Sequence, residues 1–112
     1  MPYIKTIANV AIPEDKREAI KAKMGEDAAL LGKNEQFLMV DFCENSPLYF
    51  GGTKDPAAIV CVDLYGSAGA DAYKAFCKAA TELVGKALAI APTRVFVKFA
   101  EYSHWGWNGD TF

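Results

Sequence analysis

Apolar residues cluster in four short runs, separated by two longer stretches in which they recur at helical spacing. Tyr3–Val10 is rich in β-branched side chains and predicts a first strand. Pro13 suits the first turn of a helix, with Glu14 and Asp15 at its positive end. Ile20, Met24, Ala28 and Leu31 then fall on one helical face, and Lys16, Arg17, Lys21 and Glu26 largely on others. Gly32 is placed to end that helix. Phe37–Cys43 reads as a second strand, apolar on both sides. After the loop Gly51–Pro56 the order restarts with a strand over Ala58–Tyr65. The break Gly66-Ser67-Ala68-Gly69 follows. A helix over Asp71–Leu88 comes next, its apolar face made by Tyr73, Phe76, Cys77, Ala80, Val84 and Ala87. Arg94–Ala100 is the fourth strand.

The second half thus repeats the architecture of the first without repeating its residues. Two strand–helix–strand units require right-handed crossovers between parallel strands. The predicted fold is α/β (α+β): one domain over residues 1–112, with a four-stranded mixed sheet and two helices on one face. Phe37–Cys43 and Ile59–Tyr65 read as apolar on both faces, while two helices cover only one. The open face needs a cover. Another copy of the same sheet is the simplest one; loops and the Trp-rich tail are the alternative.

Composition narrows the function. With 52% hydrophobic and 23% charged residues, the chain is a globular domain rather than a disordered one. A formal charge of −2, a pI near 5.3 and no Lys/Arg run argue against a nucleic-acid or polybasic membrane role. No apolar stretch is long enough to span a bilayer. The start has no secretory pattern, so the cytoplasm is the expected location. Cys43, Cys61 and Cys77 include no Cys-x-x-Cys and sit among apolar neighbours, which predicts buried reduced thiols. His104 is the one histidine and makes no metal site by itself.

Pro2 directly follows Met1. Removal of Met1 would leave a compact secondary amine at the terminus. In an apolar pocket beside other cations, desolvation and like charge lower the pKa of such an amine. It then serves as a general base near neutral pH. The other reading is a strand that starts with proline. Lys33 follows Gly32; with the first two strands adjacent, it lies near Pro2 and can hold a carboxylate, or it is a solvated loop lysine. The loop Gly66–Gly69 offers backbone N–H groups to an anion, or is a turn that needs glycine. The tail carries Tyr102, Trp105, Trp107 and Phe112, and packs on a neighbour or walls a pocket. Asn108-Gly109 reads as a tight turn between two short strands.

Met1-Pro2, Gly32-Lys33, Phe50-Gly51-Gly52 with Pro56, Arg94-Val95-Phe96-Val97, and Gly106-Trp107-Asn108 through Thr111-Phe112 occur in a telling order. In this order and spacing the chain resembles the macrophage migration inhibitory factor family of the tautomerase superfamily. The resemblance runs nearly end to end. It implies a homotrimer of sheets around a central barrel, with active sites between subunits. It also implies cofactor-free keto–enol tautomerisation of small aromatic α-keto acids such as phenylpyruvate, or of dopachrome-like compounds, with no metal. By position, Pro2 would be the catalytic base and Lys33 would bind the substrate carboxylate. Tyr65 would add a backbone contact, and Lys98 would reach in from an adjacent subunit. Phe96, Trp105, Trp107 and Phe112 would line the pocket. The family also suggests a different reading: a cytokine-like protein, secreted without a signal peptide, that binds a cell-surface receptor and keeps the pocket as a vestige. Phe96 stands where better-known members have tyrosine, Lys98 replaces asparagine and Tyr65 a smaller aliphatic residue. Ala57 and Val60 occupy the places of the family's Cys-x-x-Cys, so no thiol–oxidoreductase activity is expected.

Overall fold

A computed structural model describes residues 1–112. Strand β1 (Pro2–Ala8) is followed by helix α1 (Glu14–Asp27), β2 (Met39–Cys43), β3 (Ala58–Tyr65), α2 (Ala70–Leu88) and β4 (Val95–Tyr102). A short hairpin of β5 (Gly106–Trp107) and β6 (Asp110–Thr111) closes the chain. The sheet order is β2-β1-β3-β4. β1 runs parallel to β2, β3 parallel to β4, and the two pairs meet antiparallel through β1 and β3. This is the mixed sheet of two strand–helix–strand units read from the sequence.

Alternation along each strand sorts side chains between two faces. Ile4, Thr6 and Ala8 of β1 and Val60, Val62 and Leu64 of β3 are buried under the helices. They meet Ile20 and Met24 of α1 and Phe76, Ala80 and Val84 of α2. The Phe76 ring is fully buried and lies edge-on to Phe99, 6.1 Å between centroids. Enclosing a ring of that size contributes about 1.5–3 kcal/mol.

The apolar faces of both helices are those expected, but several boundaries differ, and β4 runs on to Tyr102, two residues past the expected end. α1 ends at Asp27, and Ala28–Leu31 tighten into a 3₁₀ turn before Gly32, whose φ of 66° closes the segment. Asp27 is buried there and held by Lys23 Nζ at 3.0 Å, an i,i+4 pair. The second strand starts at Met39 rather than Phe37, because Asn34 accepts the Gln36 amide at 2.9 Å and starts a turn over Glu35–Phe37. The first strand ends at Ala8, and Asn9 instead turns its amide to the long connection. Its Nδ2 donates to the carbonyls of Leu48, Lys54 and Asp55, and its Oδ1 accepts from Ala57 N–H. Arg94 fixes the same loop, donating to the carbonyls of Phe50 and Asp55 and, through Nε, to Pro56.

The open face departs from the doubly apolar reading. Met39, Ile7, Ile59 and Phe96 share it with Lys5, Asp41, Asp63 and Lys98. The three cysteines are unpaired, as expected, but only half-buried, because Cys43 and Cys61 lie on this open face and Cys77 on the flank of α2. No helix is long and apolar enough to cross a membrane.

Candidate functional site

The chain start is drawn into the sheet. Pro2 opens β1 opposite Leu64 of β3, and its ring is fully buried. The Met1 carbonyl accepts the Tyr65 amide at 3.3 Å. Lys33, delivered by the tight end of α1, donates from Nζ to the Tyr65 carbonyl at 3.1 Å. The Tyr65 ring in turn lies 5.5 Å from that of Phe112. Lys33, Tyr65 and Phe112 therefore gather around the chain start, although none of the three lines the cavity beside it. Burial, and then the charge of Lys33, push the Met1 amine below its ordinary pKa of 8.0.

Beside this terminus lies a cavity of about 680 Å³ whose walls include Pro2, Trp105 and Trp107. Phe37 stands edge-on to Trp107 at 5.7 Å, and Tyr102 edge-on to Trp105 at 5.8 Å. The hairpin that carries the tryptophans turns at Asn108 (φ 53°) and Gly109 (φ 78°), both left-handed, as the Asn-Gly pair predicts. The Phe112 amide ties the tail back to the Trp105 carbonyl at 3.1 Å.

Phe96 and Lys98 are not brought to this place within one protomer. In register they face Ile59 and Cys61 of β3, whereas Pro2 faces Leu64. At the rise of a strand these offsets put them roughly 17 and 10 Å away along the sheet. Phe96 packs on Phe50 at 4.8 Å, and both Phe96 and Lys98 are exposed on the open face.

Several cavity residues escaped the sequence reading. Phe37 was assigned to a strand and instead turns into the cavity. Tyr3 and Asp63 line it from the open side of the sheet, beside Tyr102, which the sequence had placed in the aromatic tail. Strict alternation along β1 and β3 carried that signal, and Asp63, an acid between Val62 and Leu64, was its clearest mark. The Tyr3 hydroxyl donates to Asp41 at 2.6 Å. That hydrogen bond, then burial and the charges of Asp41 and Asp63, push the phenol up to about 12. The same bond draws the Asp41 carboxyl below its ordinary range. The Gly66–Gly69 break is a turn. Gly66 and Gly69 have φ of 80° and 91°, the Gly66 amide bonds the Tyr102 carbonyl, and the Ala68 amide bonds the Tyr73 hydroxyl. Tyr73 also bonds Glu101, which lowers the pKa of that carboxyl.

Residues 1–112 match the family model for macrophage migration inhibitory factor. The chain belongs to the macrophage migration inhibitory factor family. The rat macrophage migration inhibitory factor is 30% identical over 87 residues, 76% of each chain. The crystal structure of Leishmania major MIF2 superposes with a TM-score of 0.94 at 32% identity, covering 100% of this chain and 97% of the other. A macrophage migration inhibitory factor homologue from Prochlorococcus marinus gives a TM-score of 0.88 at 26% identity, covering 98% of each. The family fold and the mixed sheet with two helices are therefore common to this chain and its relatives.

Proposed function

We propose that this member of the macrophage migration inhibitory factor family is a cofactor-free keto–enol tautomerase for small aromatic α-keto acids of the phenylpyruvate kind. Its general base is the amine of Pro2, freed by removal of Met1. The observation that carries this reading is the burial of the chain start beside Lys33 and an aromatic cavity, which favours an uncharged amine. The neutral amine takes a proton from C3 of the keto acid. The electron pair moves to the carbonyl, and the resulting enolate oxygen takes its proton from water, because Phe96 offers no phenolic acid. Lys33 holds the carboxylate, and the rings of Trp105, Trp107 and Phe112 flank the aromatic group. Tyr65 contributes its backbone and the anchoring of Lys33. Phe96 and Lys98 act from a neighbouring copy in a homotrimer.

Intact mass is expected to show loss of Met1. Enol-absorbance assays with phenylpyruvate then test the base. Pro2→Gly is expected to lower kcat/KM by about 10²–10⁴-fold, the usual contribution of a positioned base. Because the base works only when uncharged, kcat/KM rises with pH through the pKa of the Pro2 amine and levels off above it. Unchanged turnover in material that retains Met1 would overturn the reading.

A further inference from the structure

Glycine inside a helix lowers stability, because it loses more freedom on folding than any other residue. Gly25 stands two residues before the end of α1 and has no positive φ, so no turn requires it there. What requires it is Glu35. The Glu35 carboxyl lies where a Cβ on residue 25 would sit, and Gly25 is buried beneath it. Any larger residue at position 25 displaces that carboxyl.

Glu35 opens the short turn Glu35–Phe37 between α1 and β2. Asn34 closes the turn on itself: its Oδ1 accepts the Gln36 amide at 2.9 Å, and its carbonyl accepts the Phe37 amide at 3.2 Å. The turn ends on Phe37, whose ring stands edge-on to Trp107 at the cavity wall. Phe37 is 41% exposed, so burial alone does not fix its place. Lys33, just before the turn, has ties of its own, from its amide to the Ala28 carbonyl and from Nζ to the Tyr65 carbonyl. All these contacts lie within one protomer. The tie to Gly25 is on the α1 side of the sheet, so covering the open face leaves it unchanged.

We propose that Asn34 and the Gly25–Glu35 pair are positioning residues that hold the Phe37 ring at the cavity wall and thereby set the preference of the site for an aromatic over an alkyl side chain. An aromatic guest joins Phe37 and Trp107 through edge-to-face contact, which a saturated ring of similar size cannot make. This inference rests on the reading of the cavity as a site for aromatic keto acids.

The first test is equilibrium binding to the full chain, followed through the Trp107 indole NMR signal. The probes are 3-phenylpropanoate and 3-cyclohexylpropanoate, which share a carboxylate and spacer and differ in the ring. Asn34→Ala is expected to lower the phenyl-over-cyclohexyl affinity ratio roughly threefold to tenfold, the value of an aromatic pair. Asn34→Ser, which keeps a capping oxygen, is expected to restore it. With phenylpyruvate, Asn34→Ala is expected to raise KM by a similar factor and to leave kcat within about twofold, because Pro2 and Lys33 keep their places. Gly25→Ala is expected to raise the urea midpoint and yet to lower the ring preference, a combination that general loosening does not produce. Glu35→Ala is expected to act like Gly25→Ala, and the double variant to be no worse than either single one, since both cut the same tie. Equal weakening of both probes by Asn34→Ala would point to Lys33 and overturn the proposal. So would a ring preference untouched by Asn34→Ala and Gly25→Ala, or a loss in kcat in place of KM. A ring preference that depends on Asn34 in a chain inactive on phenylpyruvate sinks only the tautomerase reading. Turnover with KM and ring preference unmoved by the variants sinks only the positioning role.

Discussion

Two groups at the chain start, the Met1 amine and the Tyr3 phenol, are displaced from ordinary titration for opposite reasons. The terminal amine loses its charge more readily because burial and Lys33 disfavour the cation. The Tyr3 phenol keeps its proton more firmly because Asp41 accepts it in a hydrogen bond. A phenol with a raised pKa adds stability that is complete below its ordinary value of 10.0 and is lost as pH rises through about 12. Asp41, with its pKa lowered from 3.8, adds stability that is present above that value and fades as pH falls through the lowered one. Tyr3→Phe removes the first contribution and weakens the second, which keeps the Phe42 amide and the charge of Lys5. An alkaline absorbance titration is expected to show one of the five tyrosines ionising last, near 12, and that step is expected to vanish in Tyr3→Phe. A variant that kept the late step would show that another phenol carries it.

At the level of elements, the ends hold more tension than the middles. α2 stops at Leu88, and the next residue, Ala89, has a left-handed φ of 55°. A glycine usually occupies such a place, because a Cβ there crowds the carbonyl at a cost of about 1–2 kcal/mol. The conformation persists because the Ile90 amide bonds the Gly85 carbonyl at 2.9 Å and Ile90 is buried. Ala89→Gly is expected to stabilise the fold by about 0.5–1 kcal/mol, the relief of strain exceeding the added freedom of the unfolded chain. Urea unfolding checks it, and a lowered midpoint would mean that Ala89 is not strained. The long connection before β3 is set by Asn9 and Arg94 instead, each of which gathers several carbonyls from it.

For the whole molecule the open sheet face is decisive. Met39 and Phe96 are 65% and 58% exposed there, and Phe96 and Lys98 lie far from Pro2 within one protomer. Exposed apolar groups on a sheet face favour cover by a second surface. The proposed trimer would supply that cover and bring a neighbour's Phe96 and Lys98 to the cavity. Sedimentation is expected to give three times the chain mass of 12.2 kDa. A stable single-chain species would leave the proposed site without two of its walls.

Periodicity alone determined the order of strands and helices, the apolar faces of both helices, the Gly32 stop and the Asn108-Gly109 turn. These depend on contacts between residues a few positions apart, where side-chain spacing and backbone preference act directly. The convergence of Pro2 with Lys33 followed once the first two strands were set side by side. The turn that removes Phe37 from β2 was hidden because its apolar run reads equally well as strand; a single hydrogen bond to Asn34 decided it. The place of Asp63 and Tyr102 beside Trp105 and Trp107 was decided only by the tertiary structure. It depends on how the hairpin folds back across the sheet, a long-range packing outcome that no local pattern encodes.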